Sequence, residues 1–370
     1  MINTSAATAT ALLAVSLMVL TLPAPGLSQS GGDPSIAMPV RGVWMHPGQF
    51  GADRTKSLEK IRLTLDEYKL AGIDTLIMLV KDTSGYVFYK SKTGVMAPGW
   101  DWDFFGEFLA EARKRGMVVH PWFCVFPETA IVGEVRKHPE WLITNPQREM
   151  LGVANPALPA VRAYEIDLMT ECVAQYGTDW VHLDYIRFPC APTEPYFSFD
   201  PETIRLFKEH SGVDLNSVRA HDSGNMIWSE WLEWNGNQVT VFMRELKAGL
   251  AALGRPVKVS AAVFNNPENT RVLIGQDWPA WAKEKLVDML CPMLYTNHTK
   301  FFEKFTRRCV EAARANCQVC IGIGIGSSHN QNTPEGMIEQ MKISKSAGAD
   351  GVIFFSGGAL TPAFTAKLKN

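Results

Sequence analysis

From residue 40 to the end of the chain, short apolar runs alternate with amphipathic stretches. The runs at 40–46, 73–80, 117–125, 180–184, 256–264, 288–295, 319–325 and 351–356 read as buried strands. Helical periodicity follows each of them, at 54–70, 101–115, 159–176, 227–253, 278–286, 301–315, 334–347 and 362–368. Gly72 and Gly116 close the first two helices, where a left-handed cap suits glycine. Apolar strands spaced by helices imply a parallel sheet covered by those helices. Eight such units fit a (β/α)8 TIM barrel better than a doubly wound sheet. The longest interruption is an excursion after strand 4, residues 185–226, with a short helix near 201–210.

No dinucleotide fingerprint argues for the doubly wound alternative. Gly322, Gly324 and Gly326 alternate inside a strand and open no helix. They read as a strand under close packing, or as one whose end leaves room for a ligand.

In a barrel of this kind the chemistry lies at the C-terminal strand ends. The fourth run ends Trp180-Val181-His182-Leu183-Asp184 and breaks into a loop before Pro189. On a period of two, Trp180, His182 and Asp184 share a face, so Asp184 takes the last inward position with His182 one layer below. A carboxylate there needs a cation, which Arg187 could supply, or a substrate. The other strand ends contribute His46, Lys81, Asp82, Glu128, Asn265, Asn266 and Tyr295. Carboxylates, ring-stacking aromatics and amides in one mouth suit a sugar-cleaving site.

Composition narrows the partners. A net charge of −2 over 370 residues gives no reason to expect nucleic acid or an anionic membrane surface. Eleven tryptophans are many, and Trp44, Trp100, Trp102 and Trp122 fall at strand ends or in loops. Each could stack on a sugar or simply fill a helix–sheet seam. Seven scattered cysteines make no disulfide framework, although one bridge from Cys309 to Cys317 or Cys320 stays open. Residues 1–28 read as a signal peptide that directs the chain to the periplasm or outside, with an uncleaved anchor as the alternative. Residues 29–39 then form a flexible lead-in, and 40–370 the barrel. No stable membrane insertion is expected after cleavage.

The run Trp180–Pro189 resembles the central signature of the bacterial glycosyl-hydrolase-like family 10. Arg41-Gly42-Val43-Trp44, Arg115 to Phe123, His138 to Leu142, Asn155 to Arg162 and Asp288 to Thr296 resemble further family segments in order. The stretch Lys81-Asp82-Thr83-Ser84-Gly85 is closer to the sister glycosyl-hydrolase-like family 13. The resemblance implies an exported barrel acting on bacterial cell-wall or exopolysaccharide chains, and it supports Asp184 without fixing its role.

Glycosidic hydrolysis needs one carboxylic acid and a second carboxylate that attacks or activates water. The candidates are Asp184 paired with Asp82 or with Glu128. Glu128 would be the better acid if half-buried among Trp122, Phe123 and Phe126; otherwise it is a solvated loop acid. Asp82 could instead pair with Lys81 or Arg187. Substrate contacts are expected from Trp44, His46, Tyr86, Trp122, His182, Arg187, Asn265 and Tyr295, with Trp100 and Trp102 beside Tyr86. His46, His120 and His182 invite a metal, yet they lack the ligand pattern of barrel metallohydrolases, so neither metal nor cofactor is expected. Two other readings stay open: a barrel that binds glycans without cleaving them, and a metal-dependent hydrolase or deacetylase.

Overall fold

The computed structural model describes residues 33–190, 198–218 and 224–369. Its strands are β1 (Val40–Met45), β2 (Thr75–Lys81), β3 (Tyr86–Val87), β4 (Val95–Met96), β5 (Val118–Cys124), β6 (Leu142–Thr144), β7 (Met150–Ala154), β8 (Trp180–Asp184), β9 (Lys258–Phe264), β10 (Met289–Leu294), β11 (Gln318–Gly324) and β12 (Gly351–Phe355). The helices are α1 (Arg54–Leu70), α2 (Phe104–Lys114), α3 (Gly133–Lys137), α4 (Pro159–Tyr176), α5 (Pro201–Ser211), α6 (Met226–Ala251), α7 (Thr270–Ile274), α8 (Trp278–Lys283), α9 (Thr299–Ala313), α10 (Pro334–Ser346) and α11 (Pro362–Leu368).

Eight strands, in the order β1-β2-β5-β8-β9-β10-β11-β12, pair in parallel, and β12 pairs back to β1. This is a closed (β/α)8 barrel, and its strands are the eight apolar runs of the sequence. All seven residues of β2 are buried, as expected of a strand covered on both faces. The helix starts follow from side-chain caps: Asp53 accepts from the Lys56 amide, Asp103 from Gly106 and Asp277 from Ala280. Each such cap is worth about 1 kcal/mol.

The alternating glycines of β11 reflect close packing. A Cβ on Gly322 would stand 2.9 Å from the Pro292 carbonyl oxygen and 3.2 Å from the Trp44 ring, so the Trp44 indole lies against bare backbone.

The excursion after β8 builds a second, smaller core. Phe199, Ile204 and Phe207 pack against Trp228 and Trp231 of α6. Sequence periodicity missed the two hairpins. The strand β3 folds back antiparallel onto β2, and β6 pairs with β7.

All seven cysteines are free, in line with the absence of a disulfide framework, and the Cys309 thiol, for which a bridge had stayed open, donates to the Asn265 carbonyl. The described part of the lead-in is docked rather than loose: Ile36 is buried, and the Arg41 guanidinium donates to its carbonyl at 3.0 Å. The signal-peptide reading lies outside the described residues. Among those described, no helix is long and apolar enough to cross a membrane.

Candidate active site

A cavity of about 1330 Å³ opens at the C-terminal strand ends. Trp44, His46, Asp82, Trp122, Asp184, Arg187, Asn265 and Tyr295 all line it. Eight of the residues expected from the sequence therefore converge on one site.

Asp184 ends β8, and the chain turns sharply after it because Tyr185 adopts a left-handed conformation at φ +50°. For a residue with a side chain that conformation costs roughly 1–3 kcal/mol. The turn lets the Tyr185 amide donate to Asp184 Oδ1 at 2.6 Å and brings Arg187 Nη1 to 3.2 Å from the same oxygen. Oδ2 accepts no hydrogen bond from the described residues. Burial works against the Arg187 charge, and the Asp184 carboxylate, together with Cys190 and Tyr185, more than restores it. The guanidinium also lies over the Tyr185 ring, 4.2 Å from its centroid, and over Phe264, at 4.8 Å.

Asp82 follows β2, with β5 standing between it and β8. At sheet spacing the two acid-bearing backbones lie roughly 10 Å apart. Burial pushes the Asp82 carboxyl up, against the opposing amides of Ser84 and Tyr86, which donate to Oδ1 at 2.8 and 3.1 Å. The two acids thus stand in contrasting surroundings. Asp82 is desolvated without a cation at its carboxyl, whereas Asp184 is held by a guanidinium.

His46 stands T-shaped to Trp122, with ring centroids 4.8 Å apart. Burial lowers its pKa despite the Asp184 charge, so it is neutral at pH 7. Tyr295 is stacked on Phe355 at 5.0 Å, and burial with the Asp184 charge holds its phenol protonated. Asn265 is fixed by donation to the Met293 carbonyl at 3.1 Å. Trp122 is 2% exposed, and its indole N–H has no acceptor among the described residues. Such a buried orphan costs roughly 1–3 kcal/mol.

Three expected site residues lie elsewhere. Glu128 is completely buried and sits 2.7 Å from Lys81 Nζ, which also contacts Glu165 of α4 at 3.0 Å. Lys81 further donates to the Cys124 and Val125 carbonyls at 3.2 and 2.8 Å. Burial and the Glu128 charge push Glu165 up against the pull of Lys81, so one carboxyl of this triad keeps its proton. Glu128 is thus a support beneath the turn that carries Asp82, close under Gly85, whose φ of +89° and lack of a side chain admit it. The Asp82–Lys81 pairing considered from the sequence is displaced by these glutamates.

His182 is also corrected. It is fully buried below the cavity floor, where its Nε2 accepts from Trp44 Nε1 at 3.0 Å. An indole can only donate, so the neutral ring carries its proton on Nδ1 and donates to Ser260 Oγ at 2.9 Å. The Ser260 hydroxyl lies at the same distance from His120 Nδ1. Burial holds both imidazoles neutral, with His120 lowered to about 3. His46 is not brought into this pair, and among the described residues no group of three or more His, Cys, Asp or Glu is placed to hold a metal.

Tyr86 fails for a topological reason: in β3 it lends Asp82 its amide while its ring stays off the cavity wall. Trp100 and Trp102 likewise pack with Phe104, and the Trp102 indole donates to the Ala52 carbonyl. Residues that the sequence reading did not single out complete the rim: Tyr185, Thr296, His298, Phe301 and His329. Their one legible signal was position, just past a strand end.

Residues 39–342 match the family described as Glycosyl hydrolase-like 10. Among curated proteins, the chain is 20% identical over 322 residues to "Glycosyl hydrolase YngK" of Bacillus subtilis, covering 76% of this chain and 58% of that one. It is 22% identical over 312 residues to "Glycosyl hydrolase DigH" of Escherichia coli K12, covering 70% of this chain and 66% of that one. The chain thus spans less than two thirds of the length of either relative. The fold is similar to the glycoside hydrolase domain of PgaB (BpsB) from Bordetella bronchiseptica, with a TM-score of 0.68 at 15% identity over 89% of this chain and 98% of that one. The catalytic domain of a β-amylase from Paenibacillus polymyxa gives 0.61 at 11% identity, over 89% and 96% of the two chains. With most of its length matched, this chain belongs to the glycosyl hydrolase-like 10 family.

Proposed function

We propose that the protein is an exported glycoside hydrolase that cleaves O-glycosidic bonds in a bacterial cell-wall glycan or exopolysaccharide. The observation that carries this reading is the pair of unlike acids in one cavity. Asp82 is desolvated and raised, while Asp184 is matched to a guanidinium. In the proposed reaction Asp82 gives its proton to the glycosidic oxygen as the carbon–oxygen bond breaks. Asp184 attacks the anomeric carbon or takes the proton of the attacking water. Tyr295, protonated at all ordinary pH, donates to a sugar oxygen, and Trp44, Trp122 and Phe355 offer apolar ring surface. Export rests on the apolar run and small residues of the first 28 positions.

The test is incubation with peptidoglycan glycan strands and with poly-glucosamine, products being read by mass for wild type beside Asp184→Asn. Release by wild type alone supports the reading, and equal release by both proteins removes Asp184 from the chemistry. A second reading, a barrel that binds glycans without cleaving them, draws support from the Arg187–Asp184 ion pair, which occupies the very acid that catalysis needs. Binding of either glycan without any product would favour it.

A further inference from the structure

Leu79 lines the cavity, so strict alternation along β2 would turn residue 81 inward as well and residue 82 away. The structure does the reverse. The register of β2 against β5 shifts between Leu79 and Lys81, with Leu79 opposite Trp122 and Lys81 opposite Phe123. This bulge sends Lys81 outward, to Glu165 of α4, and turns Asp82 into the cavity.

At the bulge β2 turns to pair with β3, and the Lys81 side chain takes over the link to β5. Its Nζ donates to the Cys124 and Val125 carbonyls at 3.2 and 2.8 Å. The Val125 amide in turn donates to the Asp184 carbonyl at 2.8 Å. Further along the same segment, the Thr129 and Ala130 amides donate to the Thr83 and Ser84 carbonyls at 3.1 and 3.2 Å. Residues 125–130 therefore touch the backbone beside both acids. Lys81 grips this segment at its start and, 2.7 Å from Glu128, in its middle. Burial works against the ammonium charge, and Glu128, Glu165 and Tyr164 more than restore it, so the grip is charge-assisted.

Buried ions are a poor source of stability, since packed apolar side chains of similar volume often do as well or better. What an apolar side chain cannot do is hold two carbonyls at a fixed length. The spacing of two carboxyls decides the chemistry at a glycosidic bond, and a misplacement of about 1 Å can cost roughly 10²-fold. We propose that Lys81 is a positioning residue for the acid pair: its ammonium ties the strand that ends at Asp82 to the Val125 peptide that holds Asp184, and so sets the distance between the two carboxyls. This rests on the two-acid reading above and adds what fixes their spacing.

The test compares wild type with Lys81→Met and with the triple variant Lys81→Met/Glu128→Gln/Glu165→Gln, which leaves no member of the triad charged. Rates are taken on whichever of peptidoglycan glycan strands and poly-glucosamine the wild type cleaves, per mole of folded protein and well below the melting temperature. Under those conditions a residue that only stabilises leaves kcat and KM where they were. For a positioning residue kcat should fall by about tenfold or more, with KM within about twofold. Crystal structures of the same proteins read the geometry itself, and the separation of the Asp82 and Asp184 carboxyls should change by about 1 Å. An unchanged kcat or an unchanged separation overturns the proposal. Failure of both variants to fold also overturns it, because Lys81 is then a structural residue alone. If wild type cleaves neither glycan, the hydrolase reading falls, and the carboxyl separation still decides what Lys81 does.

Discussion

Arg187 Nη1 lies 3.2 Å from Asp184 Oδ1, and both side chains are more than nine-tenths buried. The pair explains how a carboxylate survives at the mouth of an apolar strand, and it couples stability to the site. Removing one partner leaves an uncompensated buried charge. Asp184→Ala and Arg187→Met should each lower unfolding stability by roughly 3–5 kcal/mol. The double variant should lose clearly less than the sum, since no lone charge remains. Urea unfolding of the four proteins closes the cycle.

Asp82 gives a pH prediction. Its folded pKa is raised by burial, so the carboxyl holds its proton above the ordinary aspartate range and loses it as pH rises through the raised value. An acid catalyst is competent only while protonated, so kcat/KM should fall on the alkaline side of that value. Asp82→Asn keeps an Oδ1 acceptor for the Ser84 and Tyr86 amides, so it should melt like wild type. Activity should drop by roughly 10²–10⁴-fold, with the alkaline limb abolished. His46, whose lowered pKa moves toward the same range, is separated from Asp82 by this variant, which leaves the imidazole in place.

The Lys81–Glu128–Glu165 triad should set a separate alkaline loss, this time of stability. The folded pKa of Glu165 is raised, so the native state binds more protons there than the unfolded chain does. Stability from this group is complete below the ordinary glutamate pKa and is lost as pH rises through the folded value. Glu128→Gln removes one of the charges that raise Glu165, and should flatten the loss in melts recorded across the alkaline range. Lys81→Met strands two carboxyls and should destabilise by roughly 3–5 kcal/mol.

Beneath the floor, Trp44→Phe would leave His182 Nε2 without its donor. A loss of roughly 1–3 kcal/mol is expected. Ser260→Ala should cost a similar amount, because two imidazoles meet its hydroxyl. Thermal melts should register both changes, and glycan affinity should follow Trp44 but not Ser260.

The barrel was legible because its strands are uniformly apolar and its helix starts carry their caps in the sequence. Asp184, Asp82, Arg187 and Tyr295 were legible because a parallel barrel turns position along a strand into position at the mouth. Glu128 was not, since its fate depends on Lys81 and on Glu165, which lies 37 positions further along. His182 sits only two residues before Asp184, and a period of two put it on the right face but one layer too deep to reach a ligand. Tyr86 belongs to a two-residue strand, too short to leave a periodic signal. Local pattern reveals direction and depth; partners from distant helices decide which carboxyl is left for chemistry.

The cooperation of Asp82 and Asp184, carried by the strands on either side of β5, is the core of the proposed chemistry. Its most direct test is the rate at which new reducing ends form on one glycan with wild type, Asp82→Asn and Asp184→Asn side by side. Wild type should generate ends steadily while each variant falls by roughly 10²-fold or more. An Asp82→Asn rate equal to wild type, with the protein folded, would contradict the account.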